Sequence, residues 1–181
     1  DFERDSIDLA IRYFDGRNST LDATILFSDE AHVYCSPSYA ASMQLKEPAD
    51  LRRGTLLVTT MHPHWEAWLS TFASIDAEHA KSISRIHFDQ GLLAIDAAKH
   101  GQGAVLTSPL LVRDDLNDGL LIEPFECPLP LTQGFYIVHP NREALRKVVW
   151  LVKQWLIEEA QATALDLKVS AQSGQFLKTA D

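Results

Sequence analysis

The chain has 181 residues, of which 46% are hydrophobic and 23% are charged. This composition is that of a folded globular protein and excludes a disordered chain. Acidic residues number 25 and basic residues 16, for a formal net charge of −9, so most of the surface would repel a phosphate backbone. We therefore expect no nucleic-acid binding by this chain alone. No apolar run approaches the roughly 18 residues that span a bilayer, and we predict no membrane partner.

The first third of the chain is predicted to be rich in strands. Apolar runs over 7–13, 23–27 and 31–35 are typical of buried strands. The polar residues 28–30 separate the last two runs, which could form one long strand with a kink. A short helix over 38–43 and a helical turn at 48–51 follow.

From Thr55 onward, predicted strands alternate with predicted helices. The strands cover 55–58, 83–88, 104–106, 120–122 and 134–138, and the helices cover 63–72, 91–100, a segment from 109, and 141–159. The last helix carries its apolar residues at i, i+3, i+4 and i+7 spacing, namely Leu145, Val148, Val149, Val152, Trp155 and Leu156. Residues 161–181 are predicted to form a loosely held tail. The alternation predicts an α/β fold with largely parallel pairing.

Three strand-to-helix turns form the candidate binding site. In parallel α/β sheets, ligands lie beyond the carboxyl ends of the strands, and the free N–H groups that open each helix attract anions. A small carboxylate-bearing or polar ligand is therefore expected there. The candidate contacts are Thr59, Thr60, His62, Phe88, Asp89, Gln90, Gly91, Thr107 and Ser108. The alternative is that these residues only cap the helices.

Two other kinds of chemistry are weighed and set aside. His62 and His64 stand one residue apart, as zinc ligands on a strand do. Pro63 lies between them at an expected helix start, and no H-E-x-x-H or C-x-x-C spacing accompanies them. We therefore predict no metal and no cofactor. Neither a G-x-S-x-G elbow nor a recognisable cysteine nucleophile is present, and the chain is not expected to be an enzyme.

The two cysteines, Cys35 and Cys127, have no C-x-x-C spacing. They are interpreted as reduced thiols of a cytoplasmic protein. The alternative is a redox-sensing pair, which requires Cα atoms within about 7 Å of each other.

Several segments together resemble one known family. They include DFERDSIDLAIRYFDG (1–16), VYCSPSYAAS (33–42), LKEPADLRRGTLL (45–57) and HFDQGLLAIDAAKHGQGAVLTSPLLVRDDLNDGLLIEPF (87–125). In this order and spacing they resemble the effector-binding, or substrate-binding, domain of LysR-type transcriptional regulators. The branch typified by the glycine-cleavage activator is the most similar.

The resemblance implies a two-lobed α/β fold of the type II periplasmic-binding-protein kind. The first lobe would comprise residues 1–30 and 140–160 and the second lobe residues 31–139, with 161–181 as a C-terminal tail. The first lobe is expected to lack its N-terminal strand and helix, because residues 1–16 match a segment that normally lies well inside it. Arg12 and Tyr13 become candidate effector contacts from the first lobe, with a structural ion pair as the alternative for Arg12.

By the same resemblance, the function is that of a ligand-sensing regulatory domain that binds a small effector between its lobes. Family members are cytoplasmic homo-oligomers that bind DNA through an N-terminal helix-turn-helix, which this chain lacks. Two alternatives remain open at this point. One is a solute-binding protein for a transporter, which shares the fold, and the other is a thiol redox sensor.

Overall fold

The computed structural model describes residues 2, 7–141 and 144–178, with the backbone alone for 165–178. The chain forms two compact units, one of Asp1–Asp29 with Leu131–Asp181 and one of Glu30–Pro130. The first change of unit follows Asp29, close to the expected position after residue 30. The second follows Pro130, whereas the sequence analysis places it after residue 139.

The elements alternate as expected. The strands are β1 (Ala10–Phe14), β2 (Leu21–Tyr34), β3 (Thr55–Thr59), β4 (Ser84–Phe88), β5 (Ala104–Thr107) and β6 (Leu129–Pro140). The helices are α1 (Pro37–Met43), α2 (Trp65–Phe72), α3 (Ala77–Ser82), α4 (Gly91–Lys99), α5 (Pro109–Asn117) and α6 (Lys147–Lys178). A 3-10 helix covers Pro48–Arg53.

The second unit is built on strands in the order β2-β5-β3-β4. Strand β3 runs parallel to β4 and to β5, whereas β2 pairs with β5 antiparallel. All four residues of β5 are buried, as expected for a strand covered on both faces. Helix α4 packs against the sheet through small side chains, and the core contains Tyr34, Leu57, Ala94, Ile95, Ala97, Ala98, Val105, Val112 and Leu121.

The first unit contains β1 paired antiparallel with β6, from Ala10 opposite Val138 to Phe14 opposite Gly134. Strand β6 also neighbours β2, and this approach is close. A Cβ atom on Gly134 would lie 2.6 Å from the carbonyl oxygen of Phe27, so only glycine fits there. The expectation of largely parallel pairing therefore holds for the β4-β3-β5 strands and is wrong for β1, β6 and the β2–β5 pair.

The structure unites two predicted strands, reduces a third and adds one helix. Strand β2 continues through residues 28–30 without interruption, so the runs 23–27 and 31–35 form one long strand. The predicted strand at 120–122 is reduced to one bridge, in which Cys35 and Ile122 exchange backbone hydrogen bonds of 3.1 and 2.8 Å. Helix α3 was not predicted, since Ala80 is its one buried residue among the six and it shows no apolar stripe.

The last helix also differs from the prediction. It begins at Lys147 and continues to Lys178, so residues 161–178 are helical in backbone instead of forming a loose tail. It buries Val149, Lys153 and Ala160, whereas Val148, Val152 and Trp155 of the predicted stripe are exposed. Among the described residues, no helix combines the length and apolarity that a bilayer crossing requires.

Candidate functional site

The three candidate turns begin side by side at one edge of the second unit's sheet. Thr59, the last residue of β3, pairs with Phe88, the last residue of β4. On the other side, Leu57 pairs with Val105 in parallel register, and the same offset places Thr59 beside Thr107 at the end of β5. The sheet therefore brings together the residues predicted from β3, β4 and β5.

Polar side chains at the ends of β3 and β5 are buried. Thr59, His62, Thr107 and Ser108 are exposed by 5, 1, 2 and 0%. The backbone N–H of His62 donates to Thr59 Oγ1 at 3.3 Å, and His62 Nδ1 lies 3.5 Å from Thr107 Oγ1. His62 thus links the turn after β3 to the end of β5. These four residues form a buried polar floor.

The other predicted residues lie nearer to solvent. Thr60, Asp89 and Gln90 are exposed, and Phe88 and Gly91 are half-buried. A Cβ atom placed on Gly91 would meet nothing within 4 Å, so the first residue of α4 borders open space. We call Thr60, Asp89 and Gln90 the rim of the site.

The helices that follow these turns all begin without a capping hydrogen bond from a side chain. The N-cap residues of α2, α4 and α5 are His64, Gln90 and Ser108, and none of these side chains forms a capping hydrogen bond. Elsewhere in the same unit, Ser36 caps α1 and Asp76 caps α3 through their side chains. Because the first N–H groups of a helix lack intrahelical partners, three uncapped helix starts at one sheet edge favour an anionic or polar ligand. The alternative that these side chains only cap helices is not supported for Gln90 and Ser108.

Ser108 shows the contrast most clearly. Both Ser36 and Ser108 occupy an N-cap and precede a proline. The Ser36 hydroxyl accepts from the N–H of Tyr39 at 3.2 Å, whereas the fully buried Ser108 hydroxyl finds no hydrogen-bond partner among the described residues. A buried polar group without a partner costs free energy, and the role of Ser108 as a ligand contact stays a prediction.

Arg12 and Tyr13 lie in the first unit, on β1. The Arg12 guanidinium is 5.3 Å from the centre of the Phe2 ring, a cation–π contact. Burial raises the pKa of the Tyr13 hydroxyl above its ordinary value, and a hydrogen bond to Asp29 adds to this effect. Their role as ligand contacts stays a prediction.

The tryptophans near the first turn have mainly structural surroundings. Trp65 and Trp68 are 1 and 0% exposed, and the Trp68 indole N–H donates to the carbonyl of Cys127 at 2.8 Å. Within the described part of the chain, no three His, Cys, Asp or Glu side chains are grouped so as to hold a metal ion.

The environment of the two cysteines disfavours redox sensing. Both are free thiols. Burial raises the pKa of the Cys35 thiol to about 12, and burial with nearby Glu123 and Glu126 also raises the pKa of Cys127. Since the thiolate is the reactive form, neither cysteine has the electropositive setting of a sensor.

Three apolar residues beside the turns were not among the predicted contacts. Met61 is 41% exposed, and Leu92 and Leu93, in the first turn of α4, are 68 and 54% exposed. Large exposed apolar side chains next to a binding site are candidate ligand contacts. The sequence could have indicated these contacts. The buried face of α4 carries Ala94, Ala97 and Ala98, and the helical spacing places Leu92 and Leu93 off that face.

Comparisons with known proteins identify the family of the chain. The curated relatives include the HTH-type transcriptional regulator PerR of Escherichia coli K12, 30% identical over 165 residues. This alignment covers 87% of the chain and 52% of that protein. The glycine cleavage system transcriptional activator of E. coli K12 is 28% identical over 160 residues, covering 87% of the chain and 51% of the relative. The chain thus spans about half the length of the curated relatives it matches.

Solved structures and a family model place the chain among the same transcriptional regulators. The effector domain of the regulator AmpR of Pseudomonas aeruginosa superimposes with a TM-score of 0.76 at 28% identity, covering 92% of this chain and 78% of that one. The regulatory domain of CrgA, a LysR-type regulator of Neisseria meningitidis, gives a TM-score of 0.65 at 25% identity, with 88 and 78% covered. The predicted α/β fold class of this family is thereby confirmed. Residues 1–161 match the model of the LysR substrate binding domain, and the chain belongs to that family.

Proposed function

We propose that the chain is the ligand-sensing domain of a transcriptional regulator and that it binds a small anionic or polar effector at the carboxyl ends of β3, β4 and β5. The observation that carries this proposal is the group of three helix starts at one sheet edge, none of them capped by its N-cap side chain. Membership in a family of regulators supports the regulatory role.

The buried floor is suited to hold a polar group. The Ser108 hydroxyl would donate to a ligand oxygen, and the backbone N–H groups that open α4 and α5 would add further donors. Thr59 and Thr107 would set the depth of the site, while Thr60, Asp89 and Gln90 at the rim would select among ligands. Binding without a chemical step is sufficient for this role, and we propose no catalysis.

The activity of the whole protein is proposed from its relatives. Effector binding would shift the population between two conformations in proportion to the difference in affinity for them. The response would be transmitted through a homo-oligomer to DNA held by a helix-turn-helix outside this chain, in the cytoplasm. Arg12 and Tyr13 are proposed as further effector contacts on the strength of the family resemblance.

The two alternative functions are less well supported. The relatives that match most of the chain are transcriptional regulators, which argues against a transporter's solute-binding protein. The raised thiol pKa values of Cys35 and Cys127 argue against a redox sensor.

A thermal-shift screen tests the proposal. Small acids, amino acids and aromatic compounds would be added in turn, because a ligand that binds the folded state raises the melting temperature. For each hit, calorimetry would compare the wild type with Thr60→Ala and Gln90→Ala. Ser70→Ala, an exposed position of α2 outside the three turns, is the control. Equal affinity in all four proteins would show that the site lies elsewhere.

A further inference from the structure

His32 lies between two glutamates in the second unit. Its Nδ1 atom is 2.7 Å from Glu123 Oε1, and its Nε2 atom is 3.0 Å from Glu30 Oε1. The His32 side chain is 13% exposed, against 50% for Glu30 and 27% for Glu123. Both ring nitrogens of a largely buried histidine therefore lie within ion-pair distance of carboxylate oxygens. Nδ1 is aligned for a hydrogen bond to Glu123, whereas Nε2 is close to Glu30 but not aligned for a hydrogen bond with it.

This geometry favours the protonated form of the ring. A neutral imidazole carries one N–H and one lone pair, so one of the two carboxylates would face a lone pair at about 3 Å. The imidazolium form would donate from Nδ1 to Glu123 and would attract the nearby Glu30 carboxylate by its charge. Burial acts in the opposite direction, but the contacts with Glu123 and Glu30 outweigh it, and the pKa of His32 is raised from its ordinary value.

Among the described residues, the neighbours identified for the His32 ring carry no positive charge. On its own strand, the Tyr34 ring stacks on the His32 ring at 6.0 Å between centroids. On β5, the residue opposite His32 is Thr107, which does not titrate and whose hydroxyl lies near His62. Glu126 and Cys127 follow Glu123 in the chain, and the negative charges of Glu123 and Glu126 help to raise the pKa of the Cys127 thiol. The proton on His32 thus reduces a net negative charge.

The position of the cluster gives it a structural role. Glu30 is the first residue of the second unit, and His32 follows two positions later on β2. Glu123 lies 91 residues further along the chain, close to Ile122, which bridges Cys35 at the end of β2. The protonated ring therefore joins the start of β2 in this unit to the segment after α5.

We propose that His32 is a proton-binding site that clasps Glu30 and Glu123 together while its ring is protonated and releases one of them when the ring loses its proton. The direction of the pH dependence follows from the linkage between proton binding and folding stability. A histidine whose proton is held more tightly in the folded state adds stability that is fully present below its unfolded pKa. That stability is lost as the pH rises through the folded value, so the clasp opens on the alkaline side. This proposal does not depend on the identity of the effector.

Titration of the histidine ring signals by NMR on the full chain tests the proposal. His32, assigned by its loss in His32→Gln, is expected to titrate above the ordinary histidine value of about 6.5. Glu123→Gln should lower the His32 pKa by about one unit or more. His79→Gln removes an exposed histidine that pairs locally with Asp76 and should leave the titration of His32 unchanged. A His32 that titrates at or below the ordinary value would overturn the proposal.

A stability profile separates the proton clasp from simple packing. The melting temperatures of the wild type and His32→Gln would be compared at several values between about pH 6 and about pH 9. The wild-type advantage should be largest at the acidic end and should shrink as the pH rises. An advantage of the same size at every pH would mean that His32 contributes packing alone and would refute the clasp.

Discussion

The indole N–H of Trp65 donates a hydrogen bond to the carbonyl oxygen of Leu57, 3.1 Å away, and both residues are buried. This bond ties the first residue of α2 to β3, whose end carries Thr59 and the first candidate turn. The position of that turn therefore depends on a side chain that does not itself belong to the site.

We expect Trp65→Phe to lower the free energy of unfolding by about 1–3 kcal/mol, because the carbonyl of Leu57 loses its donor in a buried place. Urea unfolding measures the change. Trp155→Phe is the matched control, since Trp155 is 56% exposed, and its effect should stay within about 0.5 kcal/mol. A loss of equal size in both variants would contradict the importance of the buried bond.

Ser108→Ala is expected to leave stability unchanged or slightly improved, because it removes a buried hydroxyl that has no partner among the described residues. Affinity for an effector identified by thermal shift should fall about tenfold, the loss of about one hydrogen bond. Ser36→Ala should behave in the opposite way. It removes a capping bond of 3.2 Å, costs about 1 kcal/mol of stability, and spares affinity. Calorimetry and thermal melts on both variants provide the measurements.

Asp22→Asn tests a charged cluster in the first unit. The Lys153 ammonium lies 2.9 Å from Asp22 Oδ1 and 3.1 Å from His139 Nε2, and Lys153 is buried. The hydrogen bond from Lys153 lowers the pKa of Asp22, against an opposing effect of burial. We expect a loss of about 1–2 kcal/mol near neutral pH, a figure reduced because Asp22 is half-exposed.

The same cluster makes a prediction about pH. Because the folded pKa of Asp22 is lowered, its stabilisation is present above the ordinary value of 3.8 and is lost as the pH falls through the folded value. The stability difference between the wild type and Asp22→Asn should therefore shrink on acidification below that value. Asp118→Asn, at an exposed position, should show little difference at any pH. A gap that stays constant in acid would contradict the ion pair.

Gly103→Ala is expected to destabilise the protein by about 1–3 kcal/mol, because a new Cβ atom overpacks a buried position. That atom would lie 2.6 Å from the carbonyl oxygen of Thr55 and 2.9 Å from a methyl group of Leu57. Gly91→Ala is the control, since its Cβ would meet nothing within 4 Å. Thermal melts that give equal shifts for both variants would show that this approach of β5 to β3 is looser than the structure has it.

Much of the second unit could be predicted from the sequence because local pattern and tertiary position agree. The run 104–106 is apolar throughout, and β5 is buried throughout. Gly101, which follows α4, has a φ of +72°, the left-handed conformation that ends helices and favours glycine. The three turns were predictable because adjacent parallel strands end at the same sheet edge.

Other features depended on contacts that no local pattern reveals. The same Ser-Pro pair caps α1 at Ser36 and leaves the hydroxyl of Ser108 uncommitted, so the dipeptide alone could not identify the role. The contact of His32 with Glu123 joins residues 91 positions apart. The segment 120–122 is apolar like a strand but pairs with Cys35 at a single residue. These outcomes are set by tertiary packing, which overrides local preference.

The division between a buried floor and an exposed rim has a consequence for how such a domain could diversify. Thr59, His62 and Thr107 are held within the packed interior, so changing them risks the stability of the unit. Thr60, Asp89 and Gln90 are exposed, and substitutions at exposed positions usually change stability by less than about 0.5 kcal/mol. New ligand preferences could therefore arise by substitution at the rim, in evolution or by design, while the folded scaffold beneath it is retained.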